Sequence, residues 1–272
     1  MILVIYAIAD MQRIVVRKYK IQGKDKLKII QFSDIHKRTF GKGNRRLCYF
    51  IKLFNPDIVV ITGDLVSRNQ HDTTQLEIFI KEACKLTTVY FIYGNHEMDM
   101  PTNILEPLVK RLEDYGAILL DNRGVKIAEN TYLWGLTLPM ECYHDGNHGY
   151  KNVHFYLSSD LPSGLKPLDK LLVNQIFTPN DRFDILLVHN PLFFKTYSEF
   201  NINLVLSGHV HGGVIRLPLL NVGLLSPERK ILPKYHGGLY QLNGKSMIVS
   251  RGLGKLRLFN PPEISLIEIE NS

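Results

Sequence analysis

LKIIQFSDIH (residues 27–36), DIVVITGD (57–64) and TVYFIYGNHE (88–97) share one plan. In each, a short run of Ile, Val, Leu or Phe ends in a turn residue followed by an acid, an amide or a histidine. Continuous apolar runs bounded by turn signals suit strands buried on both faces. Two further stretches, DILLVHNP (184–191) and NLVLSGHVHGG (203–213), repeat the plan. Helical patterns lie between the first three. In NRRLCYFIKLF, Leu47, Phe50, Ile51 and Phe54 fall at i, i+3, i+4 and i+7, and TTQLEIFIKEACKL (73–86) follows similarly. Strand and helix therefore alternate, which predicts an α/β fold: a layered β-sandwich flanked by helices. Its polar residues should gather where strands end, the place at which open α/β sheets hold their ligands.

Outward from this frame the chain is less explicit. Short β-like runs between Leu239 and Ile269, such as SMIVS and EISLIEI, are expected to close a second sheet. MECYHDGNHGYKNVHFYLSSDLP (140–162) reads as a loop or cap, and there is no repeat or low-complexity tract. With 272 residues, 45% of them hydrophobic, a sizeable core is assured and general disorder is excluded. The expected organisation is an apolar and basic N-terminal segment over 1–27, an interfacial anchor plus a strand, followed by one domain over 28–272. No apolar run approaches the ~18 residues a membrane span needs. The opening MILVIYAIA makes a poor secretory signal. Cys48, Cys84 and Cys142 are odd in number and far apart, which excludes a disulfide framework and points to a reducing, cytoplasmic setting.

Charge is unevenly spread. Residues 1–55 hold thirteen Lys/Arg against Asp10, Asp25 and Asp34, whereas the remainder of this net +7 chain is slightly acidic. Two readings stay open: a solvated strand and loop, or a surface held against phosphate-rich material such as membrane headgroups or nucleic acid. For the membrane reading, Arg13, Arg17, Lys18, Lys20, Lys24, Lys26 and Lys28 would supply the charges behind the apolar opening. No dedicated nucleic-acid-binding module is visible, since the basic and aromatic interleaving that stacks single-stranded bases is missing. No protein partner is implied.

Five of the ten histidines, His36, His96, His189, His209 and His211, sit at the ends of the five apolar runs, accompanied by Asp34, Asp64 and Asn95. A single histidine at a strand end is usually structural; eight polar residues at five strand ends suggest metal binding. Imidazole mixed with carboxylate suits Mn, Fe, Zn or Ni better than Ca or Mg. The number of ligands is right for two divalent ions, with one carboxylate between them, an arrangement suited to in-line displacement at phosphorus. Neither GxSxG nor a Walker P-loop occurs, so covalent catalysis by an activated serine and phosphate cradling by a glycine loop are both disfavoured.

The motifs D-I-H (34–36), G-D-L-V-S-R (63–68), G-N-H-E (94–97), H-N-P (189–191) and G-H-V-H-G-G (208–213), in this order, resemble those of the calcineurin-like metallophosphoesterases. The later segments IRLP, LSPERKILPKY, SRGLG and NPPEI extend the likeness to a bacterial membrane-associated phosphodiesterase branch that includes UDP-2,3-diacylglucosamine hydrolases. The resemblance implies that Asp34, His36, Asp64 and His211 hold one metal and that Asp64, Asn95, His189 and His209 hold the other, with Asp64 shared. It implies a hydroxide nucleophile between the ions, and His96, oriented by Glu97, as general acid or charge stabiliser. Ser67 stands where relatives often have Asp, and Val214 where they often have Gln. Arg68, Arg216 and Arg251, together with Tyr235, are candidate substrate contacts because arginine grips phosphate bidentately. His144, His148 and His154 match no ligand spacing. The function expected is hydrolysis of a phosphodiester or pyrophosphate bond, on a lipid-linked or nucleotide-sugar substrate, by a protein in peripheral contact with an anionic membrane. A nuclease or cyclic-nucleotide phosphodiesterase is the alternative, followed by a phosphomonoesterase and a non-catalytic interaction module.

Overall fold

The computed structural model describes residues 13–143, 179–213, 215–217, 222–224, 233–255 and 257–271. Two six-stranded sheets stack face to face. The first has the order β1 (Val15–Gly23), β14 (Glu263–Asn271), β2 (Leu27–Phe32), β3 (Ile58–Thr62), β4 (Thr88–Ile92), β5 (Ile118–Leu119). The second has the order β12 (Gly238–Leu242), β13 (Lys245–Val249), β9 (Leu204–Ser207), β8 (Phe183–Val188), β7 (Thr131–Leu136), β6 (Arg123–Lys126). A two-stranded ribbon, β10 (Arg216–Leu217) with β11 (Val222–Gly223), stands apart. The sandwich flanked by helices is thus the observed architecture.

Side-chain alternation explains the layering. Ile29, Val60 and Ile92 point between the sheets and meet Ile185, Leu187, Leu206 and Ile248. Their neighbours Ile30, Phe32, Val59, Ile61, Val89 and Phe91 point the other way, toward the helices. Those helices are α1 (Arg45–Phe54), α2 (Thr74–Cys84), the short α3 (Asn95–Met98) and α4 (Thr102–Asp114). Helix α1 buries Leu47, Cys48 and Ile51, with Phe50 and Phe54 packed partly against the same core. Beyond the second sheet, Leu186, Val188 and Val205 pack on Phe200 and on Phe194 and Tyr197 of α5 (Phe194–Tyr197).

One expectation changes. SMIVS joins the second sheet as β13, but EISLIEI lies in β14, inside the first sheet, parallel to β1 and antiparallel to β2. Ile264 and Leu266 face the helices while Ile267 and Ile269 face the other sheet, so β14 is apolar on both sides and suits an interior position. Strand β1 pairs with β14 along its whole length. Several N-terminal basic groups are already engaged there: Arg17 with Glu263 at 3.0 Å, Lys20 with Glu270 at 2.6 Å, and Lys24 with Asp181. Residues 1–12 lie outside the described residues, as do Val214, His144, His148 and His154. Among the described residues, no helix is long and apolar enough to cross a membrane.

Candidate dinuclear metal centre

Strands β2, β3 and β4 of one sheet and β8 and β9 of the other end at the same place, and each end delivers part of the site. Asp34 and His36 follow β2, Asp64 follows β3, and Asn95 and His96 follow β4. His189 follows β8, and His209 and His211 follow β9. Asp34 (φ 51°), His36 (52°), Asp64 (54°), His209 (70°) and His211 (50°) all adopt left-handed backbone conformations. Such conformations are uncommon for residues other than glycine and each costs about 1–3 kcal/mol. They turn the chain sharply beyond the last extended residue, so ligands from both sheets converge. Close packing demands small residues beside them: a Cβ on Gly94 would collide with the Asp64 carboxylate, and one on Gly208 with Ser33.

Two groups of ligand atoms result. Asp34, His36, Asp64 and His211 form one and Asp64, His189 and His209 the other, each with its atoms within 4.8 Å of one another. Asp64 belongs to both. Its Oδ2 lies 3.3 Å from Nε2 of His189, 3.6 Å from Nε2 of His36 and 3.9 Å from Nε2 of His96. Asp34 Oδ1 lies 3.2 Å from Nε2 of His211. Asn95 is buried, and among the described residues its Oδ1 has no hydrogen-bond partner.

Hydrogen bonding tests whether these groups fit cations. His189 Nδ1 lies 2.6 Å from the Thr62 carbonyl, which can only accept, so this nitrogen carries the hydrogen. In the neutral ring Nε2 then presents a lone pair to the Asp64 and Asp34 carboxylates, and it is buried without a donor. Acceptors facing acceptors in a buried pocket need positive charge between them. A proton on the ring is the substitute when no ion is present: burial would lower the His189 pKa, yet Asp64 and Asp34 raise it to about 10. Burial would likewise raise the Asp34 and Asp64 carboxyls, but the facing His211 and His189 hold them well below the usual range. The residues present therefore fit two divalent ions of the Mn, Fe, Zn or Ni type.

The backbone around the ligands is braced. Asp34 accepts from the backbone N–H of His209 (3.1 and 3.2 Å), and Asp64 Oδ1 from that of His96 (2.9 Å). Glu97 acts on backbone and not on the His96 ring: its carboxylate accepts from the N–H groups of Gly94 (2.8 Å), Asp64 (2.9 Å) and Val66 (3.0 Å). Burial and the nearby Asp64 charge push the Glu97 carboxyl up to about 7. The His96 ring is set instead by the backbone N–H of Arg68, which donates to Nδ1 at 3.0 Å.

The candidate substrate arginines are placed differently from one another. Arg68 is exposed beside the site and pairs with Asp99 at 2.6 Å. Arg216 and Arg251 are buried; Arg216 donates to the Gly212 carbonyl at 2.6 Å, and Arg251 lies 3.2 Å from Glu263. Each contact engages one nitrogen of the guanidinium, Nη1 in Arg216 and Nε in Arg251. Tyr235 is buried edge-on against Phe194 and Tyr240. Sequence reasoning missed several supports. Arg257 donates to the carbonyls of Gly254 (2.7 Å) and Arg251 (2.6 Å), and Arg38 to Gly254 (2.9 Å), which clamps the 251–254 segment beneath Asp34 and His36. Asn260 donates to the His211 carbonyl at 2.6 Å. Tyr143 packs edge-on against His209, ring centroids 5.1 Å apart. The SRGLG and NPPEI segments marked this region, but only the fold shows what each side chain holds.

A two-sheet α/β sandwich with paired carboxylate and imidazole groups at its strand ends defines a metal-dependent phosphoesterase, a hydrolase. The chain belongs to the calcineurin-like phosphoesterase family, whose model matches residues 27–213. It is similar to an uncharacterized metallophosphoesterase of Bacillus subtilis, YkuE, at 27% identity over 92% of this chain and 81% of the relative. It is also similar to the UDP-2,3-diacylglucosamine pyrophosphatase LpxG of Chlamydia muridarum, at 23% identity over 89% and 83%. Among solved structures, the TT1561 protein of Thermus thermophilus shares the fold, with a TM-score of 0.50 at 13% identity over 84% of this chain and 91% of that one.

Proposed function

We propose that this protein hydrolyses a phosphodiester or pyrophosphate bond in a lipid-linked or nucleotide-sugar substrate, with two divalent ions as cofactors, at the cytoplasmic side of an anionic membrane. The observation that carries the chemistry is Asp64, whose Oδ2 faces ligand nitrogens of both groups. Asp34, His36, Asp64 and His211 would hold one ion, and Asp64, Asn95, His189 and His209 the other. Bound ions supply Lewis acidity and lower the pKa of water enough for attack at neutral pH. His96 directs Nε2 at the same place and is suited to stabilise charge developing on a phosphoryl oxygen. Arg68, exposed at the rim, is suited to the distal part of a substrate. The pyrophosphatase named among the relatives supports the substrate class.

The test is a hydrolysis screen of metal-reconstituted protein against a monoester, a diester, a cyclic nucleotide and a UDP-diacylsugar. Preference for the diester or the UDP-sugar is expected; preference for the cyclic nucleotide or the monoester overturns the substrate class. In the same assay Asp64→Ala should lose at least one ion by elemental analysis and nearly all turnover. Two ions retained at full occupancy would remove Asp64 from its shared position.

A further inference from the structure

Four of the six large apolar side chains exposed among the described residues lie on one face: Tyr49 and Leu53 of α1, Ile78 of α2, and Leu86 just beyond α2. Tyr49 and Leu53 are more than half exposed, at 59% and 55%. Tyr49, Ile78 and Leu86 line an open groove of about 530 Å³ between the two helices, and Leu53 lies one helical turn beyond Tyr49 on α1. Its charged lining is one-sided. Lys42, Arg45, Lys52 and Lys85 face it, against Glu82 alone, and Glu82 already bonds Lys85 at 2.6 Å. This cationic surplus comes from the stretch that makes the first fifth of the sequence basic, and it remains after the β1 cations have found Glu263, Glu270 and Asp181.

We propose that the α1/α2 face is a docking surface for an anionic lipid bilayer. Apolar tips rimmed by Lys and Arg are the composition of interfacial helices, in which the tips enter the headgroup boundary and the cations meet lipid phosphates. A protein partner fits less well, because the cores of protein interfaces are depleted in charge and lysine is scarce in them, whereas three lysines line this groove.

The face also leads to the metal centre. A second pocket, of about 370 Å³, runs from His36 to Asn44, Gln75 and Leu76. It adjoins the groove: Gly43, which lines the groove, donates its N–H to Oε1 of Gln75, which lines this pocket, at 2.6 Å. A lipid-linked substrate would then have its tails in the bilayer at α1/α2 and its phosphate within reach of His36. That last step rests on the function proposed above, but the docking itself does not.

The test is sedimentation of the full chain with vesicles of phosphatidylcholine alone or mixed with phosphatidylglycerol. Binding is expected only to the anionic vesicles and should weaken with salt. Arg45→Glu with Lys52→Glu should lower it by at least about twentyfold, at roughly fivefold per charge, and Leu53→Ser should lower it further. All three exposed positions lie outside the ligand groups, so hydrolysis of a soluble diester by these variants should match the parent, which also reports that they fold. A full-length chain carrying Val4→Asn and Ile5→Asn should bind as the parent does. The proposal falls if the charge-reversed chain still sediments like the parent, if neutral vesicles bind equally, or if the Val4/Ile5 variant alone loses binding. Vesicle binding without hydrolysis of any ester would leave the docking surface standing and sink the proposed function.

Discussion

His96 neighbours Asn95, yet its ring obeys a different constraint. The Arg68 N–H can only donate, so Nδ1 accepts and the neutral ring carries its hydrogen on Nε2, 3.9 Å from Asp64 Oδ2. A second proton on Nδ1 would set two donors against each other, and burial also lowers the pKa of this ring. Ser67 brings no carboxylate to favour the charged form. His96 is therefore arranged as a neutral donor that stabilises charge. His96→Ala should keep both ions while losing about 10²- to 10³-fold in rate, and by similar factors on nitrophenyl and alkyl diesters, with His96→Gln restoring part of the loss. A loss confined to the alkyl ester would reveal a general acid instead. Glu97 gives a stability prediction. A carboxylate can accept three N–H groups, whereas the amide of Glu97→Gln must turn its own NH₂ toward at least one of them. The cost should be about 1–3 kcal/mol, visible as a lower denaturation midpoint, and an unchanged midpoint would deny Glu97 the bracing role. The ligands were legible as residue types at strand ends. The Glu97 brace and the Arg68 N–H were not, because backbone donors leave no mark in a sequence.

Helices α2 and α4 are tied by a forked ion pair. Arg111 reaches Glu77 through Nε (3.0 Å) and Nη2 (3.1 Å), and Thr73 adds a hydroxyl at 2.6 Å. The Arg111 hydrogen bond, outweighing partial burial and helped by Thr73, lowers the Glu77 pKa below its ordinary 4.5. A depressed carboxylate pKa contributes stability above the unfolded-state value that is lost as pH falls through the folded one. Glu77→Gln should therefore cost about 0.5–1 kcal/mol at neutral pH, the pair being partly exposed. The difference from the parent should shrink below pH 4.5. Equal penalties at neutral and acid pH would show that charge is not what Glu77 contributes. At this scale the sequence was clearest for β2, β3, β4, β8 and β9, because strands covered on both faces must be apolar throughout. It placed β14 in the wrong sheet, because apolar faces of this kind would suit either; the true position follows from its pairing with β1 and β2. On α1 the packed stripe of Leu47, Phe50, Ile51 and Phe54 was legible, but not that Tyr49 and Leu53 beside it would stay uncovered, since that depends on what packs around the helix.

Across the whole molecule the candidate metal centre is a joint between the two sheets. Asp34, His36, Asp64 and Asn95 come from the first, and His189, His209 and His211 from the second. Direct ties between the sheets at this point are few and polar: His189 Nδ1 to the Thr62 carbonyl (2.6 Å), Gln31 Nε2 to the Ser207 carbonyl (2.9 Å), and the His209 N–H to Asp34. Without an ion, a proton on His189 is what balances the Asp34 and Asp64 carboxylates at the seam, and five left-handed residues add strain, so the centre lacks full charge balance there. Ions bound by both sheets would supply it and stabilise the fold by linkage, about 2.7 kcal/mol at a hundredfold excess over the dissociation constant. For a chain of this size that corresponds to roughly 5–10 °C in the denaturation midpoint. Metal should raise the midpoint of the chelated protein by this order, and excess chelator should reverse it. His209→Ala removes a ligand from the second sheet and Asp34→Ala one from the first; each should blunt the rise, because either substitution breaks the bridge. If His209→Ala leaves the metal-dependent rise intact, His209 is not among the ligands that join the two halves of the sandwich.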